Sequence, residues 1–109
     1  MKIELSEHGK YTVVKILERF DVAMDYDDFN TIFDKFLKEN KLFIAVDFAK
    51  AQYITSSIIS VLIHFYKNIK EKDGDLSIIA PNQSILNVFD ELNLADILHI
   101  CPSFDSLPR

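Results

Sequence analysis

Short apolar runs divide the chain into segments that are typical of strands. The first two runs flank a turn at His8-Gly9-Lys10, which is short enough for a hairpin. The third run is nearly continuous and is bounded by polar residues, as is typical of a strand buried on both faces. The predicted strands cover residues 3–7, 11–17, 41–48, 76–80 and 97–100.

Between these runs, apolar residues recur at steps of three and four, which is the period of a helix. The predicted helices begin near Tyr26, Ser56 and Gln83. The apolar face of the first consists of Phe29, Ile32, Phe33, Phe36 and Leu37, and that of the third of Ile85, Leu86, Val88, Phe89 and Leu92. Gly74 follows the second helix, where we expect it to adopt the left-handed conformation that often ends a helix.

The order of the segments, two strands and then alternating helices and strands, is typical of an α/β fold with a mixed sheet covered by helices. We predict four to five strands and about four helices, the fourth a single turn within residues 102–109 that Ser103 would cap. No linker or repeat interrupts residues 1–109, which predicts one domain. Apolar residues make up 49% of the chain, enough for a core without metals or disulfides.

The second predicted helix is apolar except for one narrow polar stripe. The stripe consists of Ser57, Ser60, His64 and Lys67, which we expect to face solvent. The residues expected to be largely buried are Ile59, Leu62, Ile63 and Tyr66.

The charge balance narrows the classes of partner. A net charge of -5 argues against direct nucleic-acid binding, which needs clustered Lys and Arg, and against binding to anionic lipid. No apolar stretch approaches the roughly 20 residues of a membrane span, and the first residues lack the apolar core of a signal peptide. The sequence therefore predicts a cytoplasmic protein without membrane insertion.

Glycine and histidine give no indication of a cofactor or metal site. Gly9 and Gly74 are the only glycines, so the glycine-rich loops that bind nucleotide phosphates are absent. His8, His64 and His99 lie far apart in the sequence, without the spacing of metal ligands.

Cys101, the single cysteine, is expected to be a buried structural thiol. It has no evident histidine partner, so the sequence offers no nucleophile–base pair. We therefore expect a protein that is not an enzyme.

An acidic cluster precedes the first predicted helix and consists of Asp21, Asp25, Asp27 and Asp28. It lacks the glycine and the final glutamate that a calcium loop requires. Asp25, Asp27 and Asp28 are expected at the start of the helix, where its dipole favours negative charge. Asp21 lies earlier, in the loop, so that this explanation does not extend to it.

Three hydroxyl residues, Thr55, Ser56 and Ser57, stand where the second helix begins, and two interpretations coexist. One hydroxyl at the N-cap accepts a hydrogen bond from a free backbone N–H, which is worth about 1 kcal/mol. Alternatively, a serine at a helix start carries a phosphate, which the free N–H groups and the dipole accommodate.

Nearly the whole chain resembles the STAS domain family, whose best-known members are bacterial anti-sigma factor antagonists. The resemblance rests on "ERFDVAMDYDDF", "FIAVDFAKAQYITSSIISVLIHFYKNIKEKDGDLSIIAPN" and "ILNVFDELNLADILHI". In the family, a short Asp-Ser-Ser-Gly type motif opens the second helix, and Ser56-Ser57 match its serines. The motif's aspartate is here Thr55 and its glycine Ile58, which we expect to add bulk to the surface.

The resemblance implies a non-enzymatic regulator that binds an anti-sigma factor of the serine-kinase type, or another regulatory protein, as a monomer or homodimer. It implies Ser56 as the phosphorylation site. The implied partner-binding residues are Asp21, Thr55, Ser56, Ser57 and Ser60. The alternative that it also implies is a STAS scaffold module in a stress-signalling or transporter-associated complex.

Overall fold

In the part of the chain that the structure describes, five strands form one mixed sheet, and their order across the sheet is their order along the chain. The computed structural model describes residues 3–17, 22–48, 56–79, 82–94 and 97–101, with the side chains of 22–26 excepted. The elements are β1 (Ile3–His8), β2 (Tyr11–Ile16), α1 (Val22–Lys38), β3 (Phe43–Asp47), α2 (Ser56–Lys70), β4 (Asp75–Ile79), α3 (Gln83–Glu91) and β5 (His99–Cys101). β1 pairs antiparallel with β2, and every later pair is parallel. The predicted α/β fold with a mixed sheet is confirmed.

The hairpin between β1 and β2 closes through Gly9 and Lys10. Gly9 has a φ of 61°, a left-handed conformation that a residue without Cβ adopts at little cost. The pairing then runs without a bulge from His8 opposite Tyr11 to Ile3 opposite Ile16. This turn sets β1 beside β2 at one edge of the sheet.

The main core lies between the helices and one face of the sheet. Val14, Ile44 and Ile78 point to this face, as the two-residue period of strands requires. On the helix side, Phe33 of α1 and Phe65 of α2 stack with ring centroids 4.4 Å apart and planes 18° apart. Both rings are almost fully buried, so this pair joins α1 to α2.

The opposite face of the sheet carries a smaller buried cluster. It consists of Tyr11, Val13, Ala45, Ile79 and Cys101, packed with the half-buried Phe43. The predicted burial of Cys101 is confirmed. β3 is therefore buried on both faces, as its continuous apolar run predicts.

The predicted starts of α2 and α3 are confirmed, whereas α1 begins at Val22, one turn before Tyr26. The apolar period becomes visible in the sequence only at Phe29, so the earlier turn had no periodic signal. Because α1 begins at Val22, Asp27 and Asp28 lie beyond its first turn, where the dipole no longer acts strongly. The expectation that they crowd the helix start is wrong for these two residues.

The end of α2 differs from the expectation for glycine. Asp73, rather than Gly74, adopts the left-handed conformation, with φ 63°. Gly74 is needed for space: a Cβ on it would overlap the Leu42 carbonyl oxygen and lie 2.8 Å from Leu42 Cβ. Asn40 and Asn93, with φ 57° each, follow α1 and α3 in the same way. Asn and Asp are among the few residues that tolerate this conformation.

The last strand begins two residues later in the structure than the sequence predicts. Ile97 and Leu98 both donate their N–H groups to the Leu94 carbonyl, at 3.0 and 2.7 Å, and so belong to a turn after α3. β5 proper is His99–Cys101. Three helices lie within the described residues. The further turn predicted at 102–109, with its cap Ser103, falls outside them.

Candidate functional site

The candidate binding surface is formed by the first turns of α2. Ser56 is the first residue of α2, which follows β3 and so starts beyond the carboxyl end of the parallel strands. The backbone N–H groups of the first helical turn have no partner within the helix, and the dipole gives this end a partial positive charge. An exposed side chain here lies where an anionic group is stabilised.

The serines of this turn are presented to solvent in different degrees. Ser56 and Ser60 are exposed and Ser57 is half-buried. The Ser60 hydroxyl donates a hydrogen bond to the Ser56 carbonyl at 3.0 Å, so that it is occupied within the helix. The Ser56 hydroxyl makes no hydrogen bond to any residue that the structure describes. Thr55 and Asp21 lie outside the described residues, and so does the N-cap position.

The polar stripe along α2 continues from these serines. Ser60, His64 and Lys67 are exposed, while Ile59 and Leu62 are buried, at 5% and 0% exposure, as predicted. Three residues are half-buried rather than at the predicted extremes: Ser57, Ile63 and Tyr66. They flank the stripe, where a helix surface passes from core to solvent.

Ile58 does not add bulk to this surface, contrary to the expectation from the sequence. Its side chain has 0% exposure and belongs to the main core. One residue lies about 100° from the next around a helix, so an isoleucine two positions after an exposed serine points inward. The bulk of Ile58 therefore fills the core beneath the serines, and the outer surface keeps its small hydroxyl side chains.

A second polar group of residues lies at the other end of the sheet, near the start of β4. The Asp75 carboxylate accepts hydrogen bonds from the Tyr11 hydroxyl at 2.7 Å and from the Ser77 hydroxyl at 3.2 Å. Lys70 Nζ lies 3.5 Å from its other oxygen. Ser77 is fully buried, so these bonds satisfy a polar group that would otherwise destabilise the fold.

His99 connects this group to Cys101. His99 Nδ1 lies 3.1 Å from the Ser77 hydroxyl oxygen, and His99 Nε2 lies 3.8 Å from Cys101 Sγ. The expectation that Cys101 has no histidine partner is therefore wrong. Burial raises the pKa of the Cys101 thiol, and the nearby Asp75 charge raises it further. A thiol held in its protonated form is a poor nucleophile, so the contact fits a structural role.

Sequence reasoning did not find this polar group, because its members come from three strands that are distant in sequence. The signal that could have found it is positional. Tyr11, Asp75 and His99 each open a strand, and the openings of neighbouring parallel strands lie at one end of a sheet.

The raised pKa of the Tyr11 hydroxyl should make the fold less stable at alkaline pH. Burial, followed by the hydrogen bond to the Asp75 carboxylate, raises the pKa of Tyr11 to about 12 from its ordinary value of 10.0. Below pH 10 both the folded and the unfolded chain keep this proton, so the contribution is fully present. Above pH 10 the unfolded chain loses the proton first, and the free energy of unfolding falls by about 3 kcal/mol in total as the pH rises through 12.

Tyr11→Phe is expected to lower the free energy of unfolding by about 1 kcal/mol at pH 7 and to weaken its fall above pH 10. Urea unfolding followed by circular dichroism at pH 7, 10 and 11 measures both effects. Cys101→Ala reports the share of the same fall that belongs to the thiol, whose pKa is shifted in the same direction. An identical fall in the Tyr11→Phe variant and the parent chain would show that Tyr11 is not the linked group.

The described residues include no metal cluster, no pocket and no membrane-spanning helix. No group of three or more His, Cys, Asp or Glu residues within the described segments is arranged to hold a metal ion. These segments also enclose no cavity. No helix in the described part of the chain combines the length and the apolar character needed to cross a bilayer.

Comparison with known proteins identifies the family and the fold of the chain. Residues 2–107 match a family described as STAS domain. No curated protein matches the chain. A Thermotoga maritima protein assigned as an anti-sigma factor antagonist has a TM-score of 0.81 at 20% identity, covering 94% of this chain and 88% of that one.

Two further solved structures have the same fold. An anti-sigma factor antagonist from Mycobacterium paratuberculosis gives a TM-score of 0.78 at 12% identity, over 95% of this chain and 87% of that chain. The Bacillus cell fate determinant SpoIIAA, in its phosphorylated form, gives a TM-score of 0.71 at 12% identity, over 92% of this chain and 91% of that chain.

Proposed function

The chain belongs to the STAS domain family, and we propose that it is a regulatory protein that binds an anti-sigma factor of the serine-kinase type through the start of α2. Structural neighbours described as anti-sigma factor antagonists support this class of partner. The proposed contact surface comprises Ser56, Ser57 and Ser60, together with Asp21 and Thr55, which lie outside the described residues.

The observation that carries the proposal is the exposure of Ser56 and Ser60 on a helix whose other side is deep in the core. Ser56 and Ser60 are one turn apart, so they stand side by side on the outer face. Ile58 lies between them in sequence but is wholly buried. Among the described residues, a partner therefore meets two small polar side chains at the start of a helix, with the bulk of Ile58 beneath them.

Phosphorylation of Ser56 is the switch that we propose for this surface. The Ser56 side chain is exposed, so a kinase can reach its hydroxyl from solvent. A phosphate brings about -1.5 to -2 charges, which the N-terminus of α2 can accommodate. SpoIIAA, a protein of the same fold, has a solved phosphorylated form, which supports the chemistry for this family.

Ser56→Asp is expected to weaken binding to the anti-sigma kinase of the same host by roughly tenfold or more. A carboxylate adds charge and bulk to an interface arranged for a neutral hydroxyl, with a cost in desolvation and repulsion. Ser56→Ala should bind within about twofold of the parent chain and accept no phosphate. Because the Ser56 side chain is exposed at the first residue of α2, this variant should lower the free energy of unfolding by no more than about 1 kcal/mol, the value of a helix cap.

Isothermal titration calorimetry measures the binding, and phosphopeptide mapping locates the modification. Ser84→Asp is the matched control, since Ser84 is also an exposed serine in the first turn of a helix, here α3. It should bind as the parent chain does. Phosphate on Ser57 or Thr55 would move the switch to that residue. A parent chain that binds no anti-sigma factor would overturn the proposed partner and favour the scaffold role.

A further inference from the structure

The outer edge of β1 is the longest free strand edge that the structure describes. β1 has six residues and pairs, among the described strands, only with β2, which leaves the outer side of residues 4–7 without a described strand partner. The opposite edge of the sheet is formed by β5, which has only three residues. An unpaired row of backbone N–H and C=O groups is a template for another extended chain.

Among the usual protections of an edge strand, β1 has only the charges of Glu4 and Glu7. Four consecutive residues, 4–7, are exposed, and among them Leu5 has 52% exposure, the largest of any exposed large hydrophobic residue described. The pairing with β2 contains no bulge, and β1 contains neither proline nor lysine, which commonly guard edge strands. The edge is therefore open along at least four residues.

The two charges on β1 indicate which kind of chain fits. Glu4 and Glu7 are both exposed, and neither lies within ion-pair distance of a cation among the described residues. They point to opposite faces of the sheet, because their positions differ by an odd number. Lys15 lies opposite Glu4 on β2 and offsets part of its charge, whereas Glu7 lies opposite the neutral Thr12.

A second copy of this chain is disfavoured by the same two charges. Antiparallel pairing of two β1 strands centred between Leu5 and Ser6 would place Glu4 opposite Glu7. Centring on Leu5 would make the two Glu4 side chains diagonal neighbours, and centring on Ser6 would do so for the two Glu7 side chains. Parallel pairing in register would oppose identical glutamates. Like charges at these positions destabilise a strand pair, and each copy also carries a net charge of -5.

We propose that β1 accepts an extended segment of another protein as a sixth strand, with basic side chains beside Glu4 and Glu7 and an apolar side chain beside Leu5. An antiparallel occupant would then read, from its amino end, basic, any residue, apolar, basic. Main-chain hydrogen bonds supply the affinity of such added strands, and side chains at alternate positions supply the selectivity. The proposal does not depend on the function assigned to α2, since no α2 residue takes part.

The test uses the full chain, labelled with ¹⁵N, and three synthetic ten-residue peptides that differ only in charge. The first contains Lys-Thr-Val-Lys at its centre, the second replaces both lysines by glutamate and the third by threonine. The lysine peptide should shift and protect from hydrogen exchange the amides of residues 3–8 and bind roughly tenfold more tightly than the glutamate peptide. The threonine peptide should bind with intermediate affinity.

A charge reversal on the protein sharpens the test. The Glu4→Lys/Glu7→Lys variant should bind the glutamate peptide more tightly than the lysine peptide, the reverse of the parent chain. Glu71→Lys/Glu91→Lys makes the same change in net charge at exposed positions on α3 and beyond α2, and it should keep the original order. Thermal unfolding of both variants verifies that the fold is retained.

Three results would overturn the proposal. The first is that no peptide perturbs the β1 amides. The second is that the lysine peptide binds elsewhere, or that the charge reversal on β1 leaves its preference unchanged. The third is dimerisation through β1 in sedimentation, which would make a second copy the occupant. None of these results bears on the binding assay of the Ser56 variants.

Discussion

Phe65→Ala is expected to lower the free energy of unfolding by about 3–5 kcal/mol, the range for removing a fully packed aromatic side chain. Phe65 is 2% exposed, and its ring stacks on Phe33 at 4.4 Å between centroids. Since Phe33 also contacts Phe29 and Phe36, at 5.5 and 6.3 Å, the loss leaves a row of α1 rings without their α2 partner. The substitution would weaken the packing of α1 against α2.

Urea unfolding at pH 7 measures this effect, with His64→Ala as the neighbouring control. His64 is exposed on the same helix, so its replacement should change the free energy of unfolding by less than about 0.5 kcal/mol. If Phe65→Ala costs no more than this control, Phe65 is not a central part of the core.

Gly74→Ala is expected to cost about 2–4 kcal/mol, although it adds a single methyl group. The new Cβ would overlap the Leu42 carbonyl oxygen and lie 3.1 Å from Ile69 Cβ. That carbonyl accepts the Asp75 N–H at 2.8 Å, so it cannot move away without loosening the hydrogen bond that joins the residue before β3 to the start of β4. The estimate combines overpacking with the loss of about one hydrogen bond.

Asp73→Gly is the informative partner for this experiment. Asp73 has the left-handed conformation, with φ 63°, in which a side chain is strained and glycine is not. This variant should therefore leave the stability unchanged or raise it by up to about 1 kcal/mol. The melting temperatures of both variants show whether position 74 is the one that requires glycine. Equal tolerance of Gly74→Ala and Asp73→Gly would contradict the steric explanation.

The hydrophobic period predicts the elements where one face is strongly apolar and fails where the signal is local geometry. The apolar run before Asp47 and the buried side of α2 were predictable, because each leaves a regular pattern. The turn at Ile97 and Leu98 was not, since its apolar composition resembles that of a strand. The choice between Asp73 and Gly74 depends on the position of Leu42, which is distant in sequence.

The position of the candidate site along the chain could be predicted from the sequence, but which of its side chains are exposed could not. The row of hydroxyls before an amphipathic segment predicts a helix start at Ser56, and the helix begins there. Whether Ile58 points outward or inward depends on the rotation of α2 about its axis, which the packing against the sheet sets. The contact between His99 and Cys101 arises from two side chains on the same side of one short strand, which the predicted boundary at residues 97–100 obscured.

The identical order of the strands along the chain and across the sheet has a consequence for biosynthesis. Each strand from β2 onward pairs with the strand that precedes it in the sequence. No strand has to be inserted between two strands that are already paired. Each strand can pair as soon as it has been synthesised, because the strand before it is already present. A chain leaving the ribosome can therefore add one helix and one strand at a time to a growing sheet, which shortens the exposure of unpaired strand edges during synthesis.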